Sequence, residues 1–286
     1  MTRIFKTIWA LASAICFLGV FSCTGSIEPE NGSSNDDDNT GQTGTDQNVK
    51  YRERLLVTEF TSVGCQNCPS MASMLHSMQK ETPDRFSIAA FHTHFSGMAD
   101  PMYIDKADTY IEKFNIGGLP AAVVSFRSGD LTMNDVKSAM AKEEKSLPEC
   151  GVAVSSSFDA SSRKANVTVK ITSNKALKYR YLVLLVEDGI KALQAGTDNP
   201  EYEHKDVVRA LVGTNIYGER LNKGEALVQG QEYTAERTAT LGQDWKAENM
   251  KVIVAAMLSN NNGVTWYCEN SNECKLGESV DYLISK

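Results

Sequence analysis

In the stretch TSVGCQNCPSM, residues 61–71, two cysteines stand three positions apart and a proline follows the second. Sulfurs this close in sequence can close into a disulfide or share a metal ion, so the pair could move electrons, hold a cation or clip a turn. The apolar run Leu55–Phe60 before it reads as a buried strand, and the segment after it carries Met71, Met74, Leu75 and Met78 at helical spacing. Where a helix starts, the first backbone N–H groups lack internal partners and carry partial positive charge, which stabilises a thiolate. Cys65, at the end of the strand-to-helix turn, is therefore the expected nucleophile with a lowered pKa. Cys68, in the first helical turn and less exposed, is the expected resolving thiol. Pro69 fits there because its missing N–H would be unpaired anyway.

Two other residues suit the same chemistry. Glu59 lies six residues before Cys65, near the end of the apolar strand, where its carboxyl should be buried. Burial raises a carboxylic acid's pKa, which makes Glu59 a proton acceptor for Cys68. Leu119-Pro120 follows a Gly-Gly turn and opens a strand, a place where a cis proline fits. Set opposite the cysteines, that loop would offer backbone groups to an extended peptide.

Rival chemistries attach to the same residues. His92 and His94, two apart on a strand, would share a face and could complete a Cys₂His₂ set with Cys65 and Cys68. Their spacing matches neither a zinc finger nor a copper carrier, so no metal and no cofactor is expected. His92 reads better as a half-buried strand residue, His94 as part of a rim above the cysteine turn, and His76 as a surface residue of its helix. Glu203, His204 and Asp206 read as a solvated loop leading into a strand. A further possibility is a permanently closed clip in a binding scaffold.

The elements that must position these groups follow from the pattern. Strand, helix, strand, helix, strand, helix over residues 51–148 indicates an α/β domain. From 149 to 286 the runs VAVSSSF, ANVTVKIT, YRYLVLLVED and MKVIVAAMLS are strands between polar turns, as in an all-β sandwich-like domain. The chain has 286 residues and a net charge of −7, which argues against a nucleic-acid surface.

The first 22 residues, with Arg3, Lys6 and an apolar run from Ile8 to Phe21, read as an export signal. Val20-Phe21-Ser22-Cys23 resembles the lipobox of bacterial lipoproteins, which implies lipidation of Cys23 and a membrane anchor; a plain secretory signal with free Cys23 is the alternative. Residues 24–50 are polar and nearly devoid of large apolar side chains, the composition of a disordered tether. Of seven cysteines, Cys16 leaves with the signal and Cys23 goes to lipid. Cys268 and Cys274 bracket the polar ENSNE and are expected to pair, which leaves Cys150 either buried and free or paired with one of the other two.

Glu59, the Cys65–Cys68 turn and Leu119-Pro120 resemble, in order and spacing, the buried acid, redox turn and cis-proline loop of the thioredoxin fold. EFTSVGCQNCP, FHTHFSGMADP, GGLPAAV and EYEHKDVVRALVGTNIYGERL are similar to the twenty-eight-kilodalton outer-membrane-protein family of Bacteroidota lipoproteins. The resemblance spans about residues 51–286 and implies a thioredoxin-like domain followed by a β-rich one. It also implies an outer-membrane lipoprotein on the periplasmic side or the cell surface. Some family members are described as adhesins. Gly64 departs from the better-known redox enzymes, which carry Trp before the first cysteine. Exported proteins are the expected substrates of a redox pair, and a surface ligand the expected partner of an adhesin.

Overall fold

The computed structural model describes residues 49–285 apart from 128, 130, 144–146 and 260–262. The predicted signal, Cys23 and the tether up to residue 48 lie outside the described residues.

The first part of the chain runs β1 (Leu55–Thr61), α1 (Cys68–Glu81), β2 (Phe86–His92), α2 (Asp105–Phe114), β3 (Ala121–Val124) and α3 (Met133–Glu143). Every residue of β1 and of β2 is buried, as expected for strands covered on both faces. β1 pairs in parallel with β2, which requires the crossover through α1, and antiparallel with β3. The methionine stripe of α1 has a purpose on one face: Met71 and Leu75 are fully buried against Leu55, Val57, Phe86 and Ile88. Val136 and Met140 of α3 join them. On the other face Tyr110 of α2 packs with Leu56, Phe60 and Phe91.

Next come β4 (Cys150–Asp159), β5 (Lys164–Ser173), β6 (Tyr179–Glu187), β7 (Ile190–Ala192), β8 (Tyr202–His204) and β9 (Val207–Leu211). β10 (Glu219–Arg220), β11 (Tyr233–Thr240), β12 (Met250–Ser259), β13 (Trp266–Lys275) and β14 (Ser279–Val280) complete the chain. A mixed α/β region is thus followed by a sheet-rich region with several sheets.

The main sheet has the order β13-β12-β6-β9-β2-β1-β3, with β10 on β6, so it crosses residue 148, where the sequence suggests a domain boundary. The join is β2 beside β9, parallel at Ala90 and Val207. The cause is legible in β6, whose apolar run needs cover on both sides. Tyr179, Tyr181, Val183 and Leu185 face a core shared with the four-stranded sheet β11-β5-β4-β14. Leu182, Leu184 and Val186 face the core that holds Phe60, Phe91 and Tyr110.

The expected Cys268–Cys274 disulfide is not formed. Cys150, Cys268 and Cys274 are all free and buried. ENSNE is the interior of β13 rather than a loop, and six strand residues extend about 20 Å, far beyond the reach of a disulfide. An irregular register opposite Ala256 and Met257 also turns the two thiols apart, Cys268 into one core and Cys274 into the other.

Candidate redox site

α1 starts at Cys68, and Cys65 stands in the turn before it; the two are joined as a disulfide, with Cα atoms 5.4 Å apart. Pro69 occupies the first turn, and Asn67 at the cap makes no side-chain bond to the helix. The Cys65 N–H donates to Ser62 O at 3.1 Å, which closes the turn. Gly64 has its own steric reason: a Cβ there would lie 2.7 Å from the Phe95 carbonyl oxygen, so the backbone at 95 fills the room of a larger residue.

Both cysteines are buried, Cys65 at 2% exposure and Cys68 at 1%, whereas Cys65 was expected to be the more exposed. The reason comes from far along the chain. β7 and β8 form a hairpin whose connection, residues 193–201, seats on the cysteine turn. The Gln194 side-chain amide donates to Cys65 O at 2.8 Å and Ser62 O at 3.3 Å, and the Ala195 N–H donates to Val63 O at 2.8 Å. Gly196 has φ +82° and a Cβ on it would lie 2.1 Å from Gln66 O, so only glycine permits this approach.

Pro120 follows a cis peptide bond, is half-buried and directly precedes Ala121, which pairs with Phe60. It therefore sits at the end of the sheet from which the cysteine turn departs. Glu59 is 3% exposed, between Ala90 and Ala122 in register. Burial, and secondarily the nearby Asp206 carboxylate, push its pKa up to about 8. Its Oε1 has no hydrogen-bond partner among the described residues.

Cys68 and Glu59 open onto one cavity of about 410 Å³, whose walls include His76, His92, Tyr202 and His204 but not Cys65. His204 is held down to about 4, first by burial and then by His92, whose ring centroid is 5.3 Å away. Its ring also bonds to the backbone at Leu193 and Ala192, while Nε2 is buried without a partner among the described residues. His92 Nδ1 donates to Asp100 Oδ2 at 2.9 Å, and the same oxygen accepts the Val63 N–H at 2.8 Å. Burial would raise Asp100, but His92 and the amides of Val63 and Met102 outweigh it and hold this carboxyl below its usual range. Likewise burial acts to raise Asp206 and is overcome by His76, bonded at 2.7 Å, and by Lys251.

The histidines thus depart from the sequence expectation. His94 lies past the end of β2, exposed, stacked on Tyr103 and accepting the Asp100 N–H. It does not join His92 and the cysteines, and among the described residues no group of three or more His, Cys, Asp or Glu is arranged for a metal. His76 is half-buried on its helix, where it borders the cavity and bonds to Asp206. His204 and Asp206 are buried, not solvated; of that trio only Glu203 is exposed, beside Lys205. Gln194 and Asp100 carry no sequence signal of their role, because each acts on a turn reached only through the fold.

A family model described as "Outer membrane protein Omp28" matches residues 107–279, more than half of the chain. Among solved structures, HBP35 of Porphyromonas gingivalis is similar with a TM-score of 0.65 at 13% identity, over 80% of this chain and 76% of that one. A structural-genomics target protein from Agrobacterium tumefaciens is similar with a TM-score of 0.54 at 17% identity, over 78% of this chain and 94% of that one. A domain of the outer membrane lipoprotein Omp28 from Porphyromonas gingivalis matches with a TM-score of 0.29 at 19% identity, over 46% of this chain and 91% of that one. Among curated proteins none matches.

Proposed function

The chain belongs to the Omp28 family of outer membrane proteins, and from that premise we propose that it is an extracytoplasmic thiol–disulfide oxidoreductase acting on exported proteins through Cys65 and Cys68. One observation carries the reading: a disulfide at the start of α1 shares a cavity with Glu59, a buried acid whose pKa near 8 suits proton exchange with a thiol. The cysteine turn before α1, with the Leu119-Pro120 loop at the same end of the sheet, supports a thioredoxin-like assignment for residues 51–148. A signal over 1–22, a lipid on Cys23 and a tether to residue 50 would hold the protein at its membrane.

In the reduced form the Cys65 thiolate, stabilised by the helix start, attacks a substrate disulfide and expels one substrate thiolate. Cys68 then gives its proton to the Glu59 carboxylate and attacks the Cys65 sulfur of the mixed disulfide. The second substrate thiolate leaves and the pair closes; the substrate gains the two electrons that the pair loses. Pro120 would align the substrate's backbone. Because the hairpin connection is bonded to the backbone of the cysteine turn at Ser62, Val63 and Cys65, a protein substrate has to displace it. The test is insulin reduction by the full chain and by Cys65→Ser: loss of turnover supports the assignment, and unchanged turnover removes Cys65 from the mechanism.

The burial of both cysteines favours a second reading, a surface-binding lipoprotein in which the disulfide is a structural clip. A clip resists millimolar dithiothreitol in the native protein, whereas a working pair opens and yields two alkylatable thiols.

A further inference from the structure

The two sulfurs of the closed pair have different surroundings. On the Cys65 side the carbonyls of Ser62, Val63 and Cys65 are all taken by Gln194 and Ala195, and Gly196 lies against Gln66. On the Cys68 side there is space, the cavity of about 410 Å³, which Gln194 also borders. Small-molecule sites run from about 300 to 1,000 Å³, and nothing the size of a folded protein enters such a space.

We propose that this cavity admits low-molecular-weight thiols bearing a hydrogen-bond donor, and that they open the disulfide by attacking the Cys68 sulfur rather than that of Cys65. The proposal rests on the redox reading above and adds to it the reductant class and the sulfur attacked. Three observations on the site converge. Cys68 lines the cavity and Cys65 does not. The cavity is lined by Glu59 and His204, whose Oε1 and Nε2 are buried without partners among the described residues. A buried polar atom left unpaired is costly, so an entering thiol whose amine or hydroxyl group donates to either one supplies a hydrogen bond that the site lacks. His204 supplies an acceptor, because burial and His92 keep its ring uncharged at neutral pH.

The chemistry closes without a further reagent. A thiol gives its proton to the Glu59 carboxylate, and its sulfur bonds to Cys68 Sγ as the Sγ–Sγ bond breaks. Cys65 leaves as a thiolate in the turn before α1, close to the positive end of the helix. A second thiol attacks the bound thiol's sulfur, releasing the small disulfide and the Cys68 thiolate. The two protons given up by the thiols return to the two cysteines. Two thiols are oxidised to one disulfide while the protein pair is reduced by two electrons. Glu59, with a pKa near 8 against roughly 8.5 for an ordinary thiol, passes that proton with little bias. The protein then has two faces: small thiols recharge the pair at Cys68, and exported proteins meet Cys65.

The experiment treats the oxidised full chain with 2-mercaptoethanol, quenches with acid at early times, blocks free thiols and locates the adduct by fragment-ion mapping. The expected result is 2-mercaptoethanol on Cys68 and the blocking group on Cys65, with roughly tenfold or greater preference. An adduct predominantly on Cys65 in the unmodified chain overturns the proposal but leaves the redox reading standing, since the pair has still opened. Failure of the native pair to open with 2-mercaptoethanol or with reduced thioredoxin overturns both.

Discussion

The Gln194 side-chain amide donates to the Cys65 carbonyl oxygen at 2.8 Å across 129 positions of sequence. This one bond ties the β7–β8 hairpin to the cysteine turn, and with the Ser62 contact it adds a second donor to two carbonyls that already accept the Cys68 and Cys65 N–H groups within the turn. Gln194→Ala should therefore cost about 1–3 kcal/mol of stability and at the same time speed reduction of the disulfide by a protein dithiol. Thermal unfolding and stopped-flow reduction with thioredoxin read the two effects. A stable variant with unchanged reduction rate would show that the hairpin does not guard the pair.

The elements that needed only local pattern were visible in the sequence. Helical spacing of Met71, Leu75 and their neighbours marks α1, and the apolar run at residues 55–60 marks β1, because burial period is a property of the segment itself. What stayed hidden depends on partners distant in sequence. The run in β6 is as apolar as a strand buried on one side by a sandwich, and nothing local says that its second face covers Phe60 and Phe91. ENSNE is polar, yet Asn270 and Asn272 are buried because their amides bond to the carbonyls of Cys150 and Val152. Polarity reads as a loop, and hydrogen bonding across the sheet overrides it.

Glu59 makes stability depend on pH with a definite sign. Its pKa is raised from 4.5 to about 8 by burial, with Asp206 adding repulsion, so the folded protein binds a proton that the unfolded chain releases. The contribution is fully present below pH 4.5 and is lost as pH rises toward 8, at no more than about 1.4 kcal/mol per pH unit. The groups facing it, Asp206, His76, Tyr202 and His204, remain in place in Glu59→Gln, which keeps a neutral side chain of similar shape. That variant should gain stability relative to the wild type between pH 5 and 8, by a few kcal/mol at most, in urea titrations across the range. Its disulfide exchange should fall about tenfold to a hundredfold and lose the rise in rate approaching pH 8. A rate profile unchanged by the substitution would remove Glu59 from proton transfer.

The three free thiols offer a test of the sheet-rich region. Burial raises the pKa of Cys150, Cys268 and Cys274 above the ordinary thiol value, which deprives them of the reactive thiolate. In the native, oxidised protein none should react with N-ethylmaleimide within minutes, and all three should react in guanidinium chloride. Peptide mapping should find no bridge from Cys268 to Cys274. A bridge would contradict the placement of these two residues in separate cores on one strand.

Cutting the chain at residue 148 should not release an independently folded α/β unit. β2 would lose its neighbour β9, and Asp206 O would no longer accept the Ala90 N–H at 2.8 Å. On the face of β1 and β2 that carries Phe60 and Phe91, the cut removes Leu182, Leu184, Val186, Val208 and Ile253, all of them buried. Each lost large apolar contact is worth roughly 1.5–3 kcal/mol, so the five together are comparable to the whole 5–15 kcal/mol by which an ordinary domain is stable. The cysteine turn would also lose Gln194. Residues 49–148 alone should therefore show no cooperative thermal transition by circular dichroism. They should also bind a hydrophobic dye, and their Cys65–Cys68 disulfide should be reduced as fast as that of a short peptide. A sharp transition from this fragment would mean that the main sheet is two sheets abutted rather than one cooperative body.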